Sequence, residues 1–317
     1  MNNNRNSDEQ PLVSIIMNCY NGEKYLKQAI DSIYVQTYTN WEIIFWDNVS
    51  TDNSADIAKT YDKRLKYFRG KEYVPLGAAR KKAIEKSSGN WIGFLDTDDL
   101  WNPNKLSMQL KEIDNKDYVL CYAGVDVIKP NGDPIQTYLP HCKSGNIFAH
   151  QLVQFDINMV TPLLNKRLMD NYSLHFEKEI TASEEYNLFM RLMAKGKVCV
   201  VPSVLGSVRI SEGTTTNREM KNWAKERFFT LEQLKRENPG IEKVYSDAFE
   251  EAEARGIFYN ARYLMDQKRF NEARSQLKSI SKKSKKYFIL YICSFFPAFW
   301  NFICSPVVKR KLTQKLL

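Results

Sequence analysis

Three times in the first hundred residues a short apolar run stops abruptly at a polar cluster. Residues 13–17 run into Asn18-Cys19-Tyr20-Asn21-Gly22-Glu23. Residues 41–46 run into Asp47-Asn48-Val49-Ser50-Thr51-Asp52-Asn53-Ser54, and residues 91–95 into Asp96-Thr97-Asp98-Asp99. Runs this short read as strands, and the stretches between them carry apolar residues at helical spacing: Leu26, Ala29, Ile30 and Ile33, then Ala79, Ala83 and Ile84. A further strand is predicted over residues 65–68. Strand–helix repetition of this kind predicts a parallel sheet covered on both faces, with ligands at the carboxyl ends of its strands. The polar clusters fall at those ends.

From about Lys116 the pattern changes. Strands are predicted over residues 118–122, 125–129, 198–201 and 205–210, and helices over 147–154 and 184–195. Residues 218–280 read as helical throughout. Within them 256–280 resembles one tetratricopeptide-type hairpin, but about three such units are needed to bury a continuous core, so it reads as a small appendage. The expected organisation is a disordered N-terminus (1–10), an α/β domain (11–217), a helical appendage (218–280) and a tail (281–317).

Charge separates the tail from the rest. Of 46 Lys and Arg, eight lie in residues 281–317, which hold no Asp or Glu; residues 1–280 carry 38 basic against 37 acidic side chains. The net +9 therefore belongs to the tail and gives no basic surface for nucleic acid. Lys282, Lys283, Lys285 and Lys286 precede an uncharged, aromatic-rich stretch over 287–308, and Lys309, Arg310 and Lys311 follow it. That pattern suits an anionic membrane surface. Pro297 and Pro306 interrupt a spanning helix, so the tail is expected to lie in, or dip into, the cytoplasmic face, with a true span or a packed helix as the alternatives. The six cysteines are scattered without a CxxC, which argues against a zinc site or a disulfide scaffold. With no apolar segment in the first ten residues, the body is expected to be cytoplasmic.

The strongest chemical signal is Asp96-Thr97-Asp98-Asp99. Three carboxylates within four residues repel one another and call for a cation or strong donors. Oxygen ligands alone suit Mg²⁺ or Mn²⁺, which commonly take one or two carboxylates plus substrate phosphates. Read alone, capping and turn formation explain such a motif about as often. Asp47 could accept a hydrogen bond from a nucleobase, while Ser50 to Ser54 read as a turn and an N-cap. Tyr20 offers a stacking face or a core side chain. Glu184-Glu185 alone would read as acidic residues favouring a helix N-terminus.

In order and spacing these segments resemble the inverting GT-A glycosyltransferases of family 2. The resemblance is carried by residues 13–22, 41–54, Gly77-Ala78-Ala79-Arg80, 88–99 and Ser183-Glu184-Glu185-Tyr186-Asn187-Leu188, within residues 11–212. It implies a GT-A α/β fold with a Rossmann-like sheet. It also implies a nucleotide-diphosphate sugar donor, UDP-linked by expectation, and a glycan or lipid-linked acceptor. The site residues that it implies are Asp47 at the base with Tyr20 and Glu23 in the same pocket, Arg80 near the nucleotide, Asp96 and Asp98 holding Mn²⁺ or Mg²⁺, and Glu185 as catalytic base.

Three departures from the family pattern stand out: Glu185 for Asp, Asn48-Val49 for Asp-Gly, and Lys81 for Asn. Arg209 and Ser211 to Thr214 could form a lid over the diphosphate. Two other readings are a sugar nucleotidyltransferase, which would want a Gly-rich basic loop after the first strand, and a catalytically silent nucleotide-sugar-binding or scaffold subunit.

Overall fold

The computed structural model describes residues 10–113, 116–210 and 220–303. The expectations for residues 1–9, the Ser211 to Thr214 lid and the segment from 304 onward lie outside the described residues. The chain divides into two compact units between residues 214 and 215.

The first unit is built from β1 (Val13–Cys19), α1 (Glu23–Tyr34), β2 (Trp41–Asp47), α2 (Ser54–Lys59), β3 (Leu65–Arg69), α3 (Leu76–Ile84), β4 (Trp91–Phe94), β5 (Leu100–Trp101), α4 (Lys105–Ile113), β6 (Tyr118–Ile128), β7 (Pro134–Tyr138), α5 (Phe148–Val153), β8 (Leu163–Asn165), α6 (Lys166–Asn171), α7 (Glu184–Met193) and β9 (Lys197–Arg209). One sheet runs β3-β2-β1-β4-β8-β6-β9-β5, with β7 on β6. Its first four strands are parallel, as the strand–helix repetition requires. Beyond them the sheet is mixed, because β8 runs antiparallel to both β4 and β6.

The two split strands of the sequence reading are each continuous. β6 covers both segments around Ala123-Gly124, and β9 passes Pro202 without ending. Pro202 lacks an N–H for the ladder, and the β6–β9 register shifts beside it, at Ala123/Gly124. An irregularity absorbs the missing donor where two separate strands were predicted.

At the amino ends of the strands, Ser14 Oγ donates to Glu42 Oε1 at 2.6 Å, and Ser88 donates to the same oxygen from N and Oγ, both at 2.8 Å. A Cβ on Gly89 would lie 2.6 Å from Ser14 N. Ser88-Gly89, part of the family pattern, thus belongs to the end of the sheet opposite the polar clusters and holds strands together.

The second unit is helical: α8 (Met220–Glu237), α9 (Ile241–Val244), α10 (Ser246–Asp266), α11 (Phe270–Ile280), α12 (Lys285–Cys293) and α13 (Pro297–Ile303). Tyr287, Leu290, Cys293 and Trp300 are buried in one core with Phe258, Leu264 and Leu277. The stretch read as a separate tail is therefore, up to residue 303, partly packed against the helical appendage. The cause is the apolar spacing 287, 290, 293, which presents one stripe of α12 to α10 and α11.

Candidate active site

The parallel register brings the strand ends together. Cys19 pairs with Asp47 and Asp47 with Arg69, while Asn48 N donates to Cys19 O at 2.7 Å. The loop after β2 then caps α1. Asn21 N donates to Ser50 Oγ (3.1 Å), Gly22 N to Ser54 Oγ (3.0 Å) and Glu23 N to Asp52 Oδ2 (3.0 Å), so amides leading into α1 find acceptors on the neighbouring strand end. Glu23 Oε2 answers by accepting from Asn53 N and Nδ2. The Ser50 to Ser54 turn thus gives acceptors across strands to the start of α1, while on its own helix Asp52 Oδ1 accepts from Ser54 N at 3.0 Å.

Asp47 has no exposed surface. Its Oδ1 accepts from Ser50 N at 2.7 Å; its Oδ2 accepts from the Tyr67 hydroxyl at 2.6 Å and from Arg69 Nη1. Burial pushes its pKa up, but Tyr67, the Ser50 amide and the Arg69 charge outweigh it and hold the carboxyl below its ordinary value. A base contact by Asp47 would require Arg69 or Tyr67 to swing aside. Tyr20 is exposed and meets the exposed Tyr73 edge-on at 4.9 Å.

Val49 stands at φ +69°, a left-handed conformation costly for a β-branched residue. Asn48 holds the turn in place: its Nδ2 donates to Val74 O and its Oδ1 accepts from Val74 N. Val49→Gly is expected to stabilise the first unit by about 0.5–1 kcal/mol, the relief of strain less the glycine entropy. The change would be read as a higher urea midpoint at unchanged slope; a lower midpoint would show that Val49 packing outweighs its backbone strain.

Arg80, buried on α3, reaches two elements at once. Its Nη2 lies 3.3 Å from Asp96 Oδ1 and its Nη1 3.4 Å from Glu184 Oε1. One guanidinium therefore ties the loop after β4 to the start of α7, where Glu185 follows Glu184. Burial, then the Glu184 charge, push Glu185 up to about 7, with Arg80 opposing. Burial and the charge of Asp96 likewise raise Asp98, and Asp99 lies well above the ordinary carboxylate value.

Asp99 is buried and accepts from Arg209 N at 3.0 Å. Arg209 itself is buried, donates from Nε to Asp98 O (2.9 Å) and from Nη1 to Pro130 O (2.8 Å), and lies over the Tyr25 ring. The lid expectation for Arg209 is thereby corrected. Its guanidinium is spent on Asp98 O, on Lys129 O and Pro130 O in the turn after β6, and on Gln28 Oε1 of α1, so it fastens the aspartate loop to both. A Cβ on Gly22 would sit 2.7 Å from Thr97 Oγ1, so only glycine lets the loop after β1 approach that turn so closely.

Among the described residues no cluster of three or more His, Cys, Asp or Glu is arranged to hold an ion by itself. Two carboxylates, Asp96 and Asp98, remain half-exposed and close enough for the charge of one to raise the other. That oxygen-only pair fits Mg²⁺ or Mn²⁺ completed by phosphate oxygens.

Residues 14–173 match the family model for Glycosyl transferase family 2. The chain belongs to that family. The first curated relatives of this family 2 member are uncharacterized glycosyltransferases of Rickettsia. One, from Rickettsia felis, is 31% identical over 206 residues; the match takes in 64% of this chain and 34% of that protein, so the chain spans about a third of its length. WfgD of Escherichia coli, a UDP-Glc:alpha-D-GlcNAc-diphosphoundecaprenol beta-1,3-glucosyltransferase, is 28% identical over 213 residues, 66% of this chain and 81% of its own. Among solved structures, Staphylococcus aureus TarS 1–349 in complex with UDP-GlcNAc superposes with a TM-score of 0.67 at 16% identity, over 95% of this chain and 91% of that one. The mannosyltransferase PcManGT of Pyrobaculum calidifontis, in complex with GDP-Man and Mn²⁺, gives 0.59 at 15% identity over 94% and 88%. These likenesses establish the GT-A fold.

The sequence reading missed Arg69, Tyr67 and Tyr73. The predicted third strand stopped at residue 68, one short of Arg69. An arginine closing a strand beside one that closes on aspartate is a signal that could have found it.

Proposed function

We propose that residues 11–217 form an inverting transferase that moves a sugar from a nucleotide-diphosphate donor, UDP-linked by preference, to a glycan or lipid-linked acceptor at the cytoplasmic membrane face. The observation that carries this reading is the Arg80 bridge, which sets the aspartate loop beside the acidic start of α7. The glucosyltransferase WfgD, whose name specifies a UDP-sugar donor and a diphosphoundecaprenol acceptor, supports the choice of substrate classes.

Asp96 and Asp98 would hold the divalent ion, Mn²⁺ or Mg²⁺. When bound, the ion offsets negative charge on the diphosphate. Arg80, held between Asp96 and Glu184, would supply a positive charge near the diphosphate. Tyr20, Tyr73 and the half-exposed Arg69 offer two rings and a cation to the nucleoside. Glu185 takes the acceptor hydroxyl proton as that oxygen forms its bond to the anomeric carbon, while the bond to the diphosphate breaks and its electron pair leaves with the nucleotide. No covalent enzyme nucleophile is required.

The test is a screen of nucleotide sugars for donor turnover with Mn²⁺, Mg²⁺ or chelator, with lipid-linked acceptors supplied. Metal-dependent release of UDP from one donor, with an inverted linkage in the product, is the expected result. Absence of turnover and of UDP binding across the panel would leave the chain a silent relative.

A further inference from the structure

Among the described residues, helices α12 and α13 are apolar on two sides but have a core on only one. Tyr287, Leu290, Cys293 and Trp300 fill the core of the second unit. The opposite surface is just as apolar: Phe288, Ile292, Phe295, Phe296, Phe299 and Phe302 are 43–62% exposed. Five of the six exposed phenylalanines among the described residues fall in this one stretch. A helix apolar all round is ordinarily buried all round, and a contiguous aromatic patch marks a docking surface.

The charge around the patch selects the partner. Lys282 and Lys285 are exposed beside it, and the Arg274 guanidinium lies 4.7 Å over the Phe295 ring. Lys283 and Lys286 are partly offset by Glu250 and Glu251, which leaves the surroundings positive. A second copy docking on the same patch about a two-fold axis would bring like charges together, whereas an anionic lipid surface would neutralise them. Helices of 9 and 7 residues are too short to cross a bilayer core of about 30 Å. No helix among the described residues is long and apolar enough to cross a membrane.

We infer that the ridge from Phe288 to Phe302 inserts at the headgroup–acyl boundary of an anionic bilayer, with Lys282, Lys285 and Arg274 on the lipid phosphates. The ridge specifies the membrane placement proposed above and rests on it for its purpose, but it can be tested without the reaction. Docked this way, the chain would be held at a two-dimensional surface where a lipid-carried acceptor is concentrated.

The full chain is sedimented with phosphatidylcholine vesicles, with and without phosphatidylglycerol. Binding is expected to be about tenfold tighter with the anionic lipid and to weaken with salt. Phe296→Ser with Phe299→Ser should lower binding to both vesicles at least about tenfold. Lys282→Glu with Lys285→Glu should remove only the anionic preference. Both double variants should retain far-UV helicity and donor turnover in solution. Absence of donor turnover in the parent chain, with vesicle binding behaving as expected, would count against the catalytic reading alone. Vesicle binding that is absent, or unchanged in the phenylalanine variant, overturns the inference. So does a dimer that dissociates in that variant while no vesicle is bound.

Discussion

Asp98→Ala is expected to abolish donor turnover, with kcat falling by about 10³-fold or more, while the protein unfolds no more easily than its parent. The two halves of that result have one cause. Asp98 is half-buried beside Asp96 and Asp99, and burial together with the Asp96 charge raises its pKa. A carboxylate in that position is unfavourable to the empty protein, so removing it relieves repulsion that Arg209 only partly offsets. It is worth that cost only if a cation uses it. Losing several kcal/mol of charge stabilisation at the diphosphate, at 1.36 kcal/mol per tenfold, gives the expected drop in rate. A second readout separates this account from general damage. Mn²⁺ with UDP should raise the melting temperature of the parent and leave that of the variant unchanged, since a ligand stabilises only the fold that binds it. Turnover within threefold of the parent would remove Asp98 from the metal site.

The position of Asp98 just past β4 was legible in the sequence for a physical reason. Strand ends and the residues just past them are set by local patterning, and the acidic run there gained a chemical reading from the other family segments rather than by itself. The first four strands and their helices were legible on the same ground, since apolar runs and helical spacing are local. The continuity of β6 and β9 was not. Pro202 and Gly124 look like breaks until the neighbouring strand is known to shift register around them. The fate of Asp47 was not legible either, because its saturation by Tyr67, Ser50 and Arg69 depends on β3 lying next to β2. The bridge through Arg80 joins residues 80, 96 and 184. Sequence order and the family resemblance named all three, but neither could reveal that one guanidinium touches both carboxylates.

Glu185→Gln is the sharper test of the reaction itself. Transfer should fall by about 10²–10⁴-fold, the contribution typical of a positioned general base, while UDP affinity stays within about threefold. In the parent, burial and then the neighbouring Glu184 charge lift Glu185 to about 7, so its carboxylate is half-protonated near neutrality. A base must be ionised to accept the acceptor proton. Transfer should therefore rise about tenfold per pH unit below about 7 and level off above it, and the Gln variant should lose that limb. Glu184→Gln removes the larger of the two charges that raise Glu185, leaving burial and Asp96, and should move the limb to lower pH, a displacement that a merely structural defect would not produce. The same shift has a stability sign. Because the folded value lies above the ordinary 4.5, protonated Glu185 favours the fold, and that contribution is lost as pH rises from about 4.5 through about 7. At pH 8 the Gln variant should accordingly be at least as stable as the parent while transferring far more slowly. Were it instead less stable, or were its transfer rate to keep the parent's pH limb, the proton would have to go to another group, and the acidic start of α7 would be a structural partner of Arg80.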